Sequence, residues 1–242
     1  MKVFGLGDLH LSFSQPVNPP HWEDVKEHKP MGCFGSLWER HYQRIFANWQ
    51  ATVSDEDVVL VPGDISWAMK LGEAVHDLEF LGKLAGKIIM VQGNHDYWWQ
   101  GISKVRKALP PNAWALQNDH VKIGKTAVCG TRGWLCPNDN DFSEHDEKIY
   151  RRELLRLRMS LESVPSGVER VVVMMHYMPT NDRHEESGFI ELMREFGIAV
   201  CVYGHLHGEG LLKRLPEKKW GIRFFLVSAD FLEFKPRFLW EE

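Results

Sequence analysis

The run Asp57-Val58-Val59-Leu60-Val61-Pro62-Gly63-Asp64 decides the fold. Residues 58–61 are all aliphatic, without polar alternation, which suits a strand covered on both faces. A glycine and a carboxylate then follow directly past its carboxyl end. Val171-Val172-Val173-Met174-Met175, which leads into His176, repeats the arrangement. Strands of this kind require a layer of helix or sheet on either side.

Outward from these two runs, similar apolar stretches fall at 2–7, 87–92, 126–130, 199–204 and 222–229, beside 57–62 and 170–176. Amphipathic segments at 36–53, 71–85, 101–108, 142–163 and 186–196 predict helices between them. The alternation indicates an α/β fold, and a chain of 242 residues, 44% hydrophobic and 26% charged, fits one domain over 1–242. In helix 142–163, Ile149, Leu154, Leu155, Leu157 and Leu161 are expected to turn inward. Ser12 to Gly35 carries Pro16, Pro19, Pro20 and Pro30 without periodicity and reads as a long loop, of the kind that forms lids or binding surfaces. A second loop runs from Thr131 to Asp141.

Five segments each follow an apolar run and end in residues that ligate hard or borderline metals. They are Asp8-Leu9-His10, Gly63-Asp64, Gly93-Asn94-His95-Asp96, His176 and Gly204-His205-Leu206-His207. Residues just past the carboxyl ends of strands converge on one crevice, so segments far apart in the chain can build one site. The i, i+2 spacing of Asp8 with His10 and of His205 with His207 places each pair on one face if the backbone is extended. The glycines before Asp64, Asn94 and His205 permit tight turns.

Carboxylate, imidazole and amide oxygen, with no thiolate among them, suit manganese, iron, zinc or nickel in a catalytic site. Two divalent ions would retain net positive charge after Asp8, Asp64 and a bridging hydroxide are counted. That favours binding a phosphate oxygen and draws the pKa of bound water towards about 7. Alone, an Asp-x-His or His-x-His is more often structural or merely exposed; the ordered set of five is not explained that way.

The ordered pattern resembles the calcineurin-like metallophosphoesterase superfamily across residues 8 to 207. Gly-Asp-Ile-Ser-Trp-Ala-Met at 63–69 and Gly-Asn-His-Asp-Tyr-Trp-Trp at 93–99 are similar to a subgroup of bacterial predicted phosphohydrolases. The resemblance implies a four-layer α/β/β/α sandwich with two mixed central sheets. It implies that Asp8, His10, Asp64 and His207 hold one divalent ion and Asp64, Asn94, His176 and His205 a second, with Asp64 bridging. His95, itself unliganded, would protonate the leaving oxygen or stabilise the transition state while a bridging hydroxide cleaves a phosphate mono- or diester. Phosphoprotein phosphatases of the superfamily follow the Gly-Asp with Val-Asp-Arg-Gly, whereas Ser66-Trp67-Ala68-Met69 stands here. The Asp partner of the catalytic histidine and a phosphate-binding Arg are thus missing at that place. Asp96 is left a supporting role, because adjacent residues on an extended chain point apart.

The expected partner is a small phosphate ester, with Arg132, Trp134 and His184 as its candidate contacts. Trp67, Trp98, Trp99 and Trp134 lie beside ligand or loop segments and either stack on substrate or, more often for such side chains, supply core area. A formal charge of −4 disfavours extended nucleic acid and anionic membrane as partners. An N-terminus without a signal-peptide pattern, no apolar run long enough to span a bilayer, and four cysteines without a C-x-x-C pair point to the cytoplasm. Two rival functions remain: a phosphodiesterase for cyclic nucleotides or nucleotide-type esters, and a non-catalytic protein-interaction scaffold. The complete ligand set argues against the second.

Overall fold

In a computed structural model, which describes residues 1–140 and 142–242, the apolar runs become two facing sheets. In chain order the elements are β1 (Lys2–Gly5), α1 (His41–Thr52), β2 (Val58–Val61), α2 (Val75–Leu81), β3 (Lys87–Met90), α3 (Ile102–Ala108), β4 (Ala113–Ala115), β5 (His120–Ile123), β6 (Thr126–Thr131), α4 (Glu144–Glu162), β7 (Arg170–Met175), α5 (Gly188–Glu195), β8 (Val200–Tyr203), β9 (Lys218–Lys219), β10 (Ile222–Leu226) and β11 (Arg237–Glu241). The first sheet has the order β11-β1-β2-β3-β4, parallel except for β11. The second runs β5-β6-β7-β8-β10-β9, with β5 and β9 antiparallel at its edges. Both sheets are therefore mixed.

Alternation along the strands creates the layers. Val58 and Leu60 of β2 pack with Val172 and Met174 of β7 in a core between the sheets. Their neighbours Val59 and Val61 face outward into a core with Ile45 and Trp49 of α1 and Leu78 and Leu81 of α2. Val173 and Met175 face the other way, against Leu157 of α4 and Phe189 and Ile190 of α5. An all-apolar strand is thus one that feeds two cores. The result is the α/β/β/α sandwich that the resemblance implies.

Departures from the sequence reading have local causes. Helix 36–53 is interrupted, with a 3-10 turn over Ser36–Trp38, Arg40 in a left-handed conformation and α1 beginning at His41. Segment 71–85 contracts to α2. In α4 the inward stripe is Tyr150, Glu153, Leu157 and Leu161, so the inward expectation for Leu155 is corrected: it is 63% exposed. It lies two residues from Leu157, on the far side of a helix with 3.6 residues per turn. The edge strands β4, β5, β9 and β11 lack the long apolar runs that mark central strands. Of the second loop, Asp141 lies outside the described residues.

The long loop is packed rather than loose. Phe13 pairs with Glu27 in an isolated bridge, Phe13, Val17 and Met31 are buried, and Met31–Phe34 form a 3-10 turn. Asp77 of α2 accepts the Phe13 N–H at 2.8 Å and the Ser66 hydroxyl, which ties the loop to the segment after Asp64. Burial pushes Asp77 up to about 7, with Glu27 and Asp96 adding to the shift. Its folded value lies above the ordinary 3.8. The folded chain therefore binds more protons between those values, and this group's contribution to stability declines as pH rises through that window. Asp77→Asn should flatten the decline: between about pH 5 and about pH 7.5 the thermal midpoint of the wild type should fall relative to the variant's. Parallel profiles would contradict the assignment. Among the described residues, no helix is long and apolar enough to cross a membrane.

Candidate metal centre

The five strand-end segments meet at the carboxyl ends of β1, β2, β3, β7 and β8, as the strand-end argument requires. Asp8, His10, Asp64 and His176 are buried. The extended-backbone expectation for Asp8-x-His10 is corrected, because β1 ends at Gly5 and both ligands have left-handed φ, 57° and 45°. Asp64 at 51° and His205 at 72° share this conformation. Four non-glycine residues in a sparsely populated region at one spot are the kind of strain that functional sites hold. Here the chain curls around the site, with the Asp8 N–H donating to Gly63 O at 3.0 Å and the His10 N–H to Asp64 O at 2.9 Å.

The glycines act partly through space rather than through turns. Gly63 has φ 89°, as a turn requires, and a Cβ there would also lie 2.8 Å from His176 Nδ1. Gly93 has an ordinary φ, but a Cβ on it would strike the Asp64 backbone and carboxylate. A Cβ on Gly204 would lie 2.5 Å from Asp8 Oδ2.

Two ligand groups can be drawn from the acid and imidazole positions: Asp8 with His10 and His207, and Asp8 with Asp64 and His176. His207 Nε2 is 3.5 Å from Asp8 Oδ1, His10 Nε2 is 3.7 Å from Asp64 Oδ2, and His176 Nε2 is 3.6 Å from Asp64 Oδ2. The donor set fits a cation on this evidence. His176 Nδ1 lies 2.9 Å from Pro62 O and must donate to it, so a neutral ring presents a lone pair at Nε2. Burial lowers the His176 pKa, which keeps the ring neutral. Yet Nε2 faces Asn94 Oδ1 at 2.6 Å, acceptor against acceptor, with His205 Nδ1 at 3.2 Å. The contact suits a shared cation, and a turned Asn94 amide or a His205 Nδ1 proton donated to Nε2 would satisfy it as well.

Electrostatics agree. Burial, and then the neighbouring Asp8, push Asp64 up to about 8. For Asp8 burial acts upward too, but His207 and His176 hold it below its ordinary value. Burial opposes a charge on His207, yet Asp8 and Asp230 lift it to about 10. Without an ion, protons on these groups balance the carboxylates, and an arriving divalent ion would displace them.

Asp230 was not foreseen. Its Oδ1 receives the His207 Nδ1 proton at 2.8 Å and its Oδ2 the Gly208 N–H at 3.2 Å. His207 Nε2, which has no hydrogen-bond partner among the described residues, is thereby turned to Asp8. The signal was present, since Asp230 follows the predicted strand 222–229 as the candidate ligands follow theirs. Asp230→Ala should cost about 10–100-fold in manganese affinity, read by titrating stripped protein. Unchanged affinity would remove Asp230 from the site.

His95 has its backbone N–H on Asp64 Oδ1 at 2.8 Å. No carboxylate orients its ring, and Nδ1 is unpartnered among the described residues. Its neighbours are aromatic instead: Trp67 at 4.2 Å between centroids, His10 at 5.7 Å and Tyr97 at 6.3 Å. Burial first, and then the neighbouring His176 and Lys29, lower His95 to about 4. Asp96 takes the supporting role, accepting N–H bonds from Gly93, Ile65, Ser66 and the Trp98 indole at 2.7–3.0 Å and so joining the two loops.

The three expected substrate contacts do not line the cleft above the cluster. Arg132 is close to buried Glu153, at 3.8 Å, and stacks on Trp134; its carbonyl accepts the His176 and Tyr177 N–H groups. Trp134 donates to Asp146 Oδ1 at 2.9 Å, at the capping box of α4, and reaches the centre through Tyr177. His184 Nε2 donates to Lys213 O at 2.8 Å. Of the tryptophans, Trp98 and Trp99 are core, whereas Trp67 and Trp38 line a cleft of about 650 Å³ that opens over His10, His95 and His207.

A family model described as calcineurin-like phosphoesterase matches residues 1–209. No curated protein matches the chain. Among solved structures, that of a protein of unknown function, AQ665 from Aquifex aeolicus, is similar with a TM-score of 0.53 at 14% identity, covering 98% of this chain and 95% of that one. At that identity the likeness shows the fold alone.

Proposed function

The chain belongs to the calcineurin-like phosphoesterase family, metal-dependent hydrolases of phosphate esters, and we propose that it cleaves a small phosphate mono- or diester at a two-ion centre. The observation that carries the reading is the convergence of Asp8, Asp64, His10, His176 and His207 in two groups that have Asp8 in common, the ligand atoms of each group lying within 4.8 Å of one another. Asp8, His10, Asp64 and His207 would hold one ion, and Asp64, Asn94, His176 and His205 the other. Bound divalent ions supply positive charge for the phosphate oxygens and acidify water.

The rest of the chemistry belongs to the side chains. His95 is neutral in the free site, and an ester anion beside it favours its charged form. With Nδ1 buried, Nε2 is the nitrogen that meets the leaving oxygen and passes it a proton. Asp230 holds the His207 tautomer through Nδ1, and the Pro62 carbonyl does the same for His176. The Trp67 ring keeps His95 over the cluster in place of a carboxylate partner.

The test is turnover of p-nitrophenyl phosphate and bis-p-nitrophenyl phosphate by stripped protein reconstituted with manganese. Manganese-dependent hydrolysis of either supports the reading, and their ratio separates monoester from diester preference. No turnover of either by protein carrying two ions would contradict it.

A further inference from the structure

Among the described residues, Lys29 is the one lysine or arginine that lines the cleft over His10, His95 and His207. Its ammonium sits 3.0 Å from the Trp67 ring centroid and 5.6 Å from that of Phe34, so aromatic faces are its partners. The surrounding chain holds it there: the Ser12 hydroxyl donates to Lys29 O at 2.8 Å, His28 N–H donates to Ser12 O at 2.9 Å, and the Trp67 indole reaches Met31 Sδ at 3.0 Å. A cation parked on a ring is available to an arriving anion without first breaking an ion pair.

The same cleft has an apolar rim that folding does not explain. Phe34 and Tyr97 line it and are each 56% exposed. Phe34 lies parallel to Trp67, 6° apart with centroids at 6.2 Å, so its orientation is set by the ring that also holds Lys29. Flat exposed faces beside a cation suit a ligand with a planar apolar part and an anionic part.

Resting on the phosphoesterase reading, we propose that this cleft is the subsite for the organic half of the ester, a flat aromatic group lying against Phe34 and Tyr97 while Lys29 grips the phosphoryl oxygens. The 12–35 loop is then the specificity element of the site. It carries both Lys29 and Phe34, which sets substrate choice apart from the ligands that carry the chemistry.

Binding of two non-hydrolysable probes to the manganese-loaded protein tests this, because phenylphosphonate and methylphosphonate share a head group and differ in the ring. Calorimetry should show phenylphosphonate bound about tenfold more tightly, a difference within the range of aromatic contacts. Phe34→Ala should abolish that advantage and leave methylphosphonate unchanged. Lys29→Ala should weaken both about tenfold, and Lys29→Arg should restore both. Equal binding of the two probes, no binding of either, or indifference of both to Lys29→Ala would overturn the proposal. These readouts need no turnover, so their failure is distinct from failure of the nitrophenyl ester assay.

Discussion

Asp64→Ala should bind neither ion and lose on the order of a thousandfold or more in turnover. Asp64 lies within 3.7 Å of His10 and 3.6 Å of His176, one imidazole from each of the two ligand groups that have Asp8 in common. Removing it deprives both ions of their shared anion, and with them several kcal/mol of charge stabilisation and the acidified water, which is the stated loss in rate. Folding should survive, since burial and Asp8 raise the Asp64 pKa and mark it as a group that disfavours the ion-free state. Elemental analysis after manganese reconstitution reads the first expectation and turnover the second. Two ions retained by the variant would remove Asp64 from the bridging position.

His95→Ala should show the opposite split, with the metal content of the wild type and turnover about 10²–10⁴-fold lower on an alkyl ester. On nitrophenyl esters, whose leaving group needs little protonation, the loss should be smaller. The backbone N–H of His95 donates to Asp64 Oδ1 at 2.8 Å, and its ring rests against Trp67. A side chain that donates to the leaving oxygen is therefore separable from the metal ligands. Equal losses on good and poor leaving groups would leave His95 a charge stabiliser and not a proton donor.

Much of this was legible in the sequence because strand-end placement is a local signal. Each of Asp8, Asp64, Asn94, His176 and His205 follows a short apolar run, and such runs are read without knowing the pairing of the strands. Layering was legible for the same reason, since Val58 to Val61 have no polar face to leave in water. Harder to read was anything set by contacts distant in sequence. β11 pairs with β1 across nearly the whole chain, and its residues alternate too weakly to announce a strand. Arg132 lies 3.8 Å from Glu153 on the inward face of α4, a proximity that no local signal announces. Lys29 and Phe34 lie in a proline-rich loop without periodicity, and contacts distant in sequence, Ser12 with Lys29 and Trp67 with Met31 among them, bring them over the cluster. The left-handed ligands were missed as well: an i, i+2 spacing suggests a strand, and the curl of Asp8 and His10 depends on bonds to the Gly63 and Asp64 carbonyls.

The measurement that bears most directly on the two-ion centre is an anomalous difference map from crystals of the manganese-loaded protein. It should show two peaks, both in contact with Asp64, one also touching His10 and His207 and the other Asn94, His176 and His205. A single peak, or two peaks that do not share Asp64, would contradict the account.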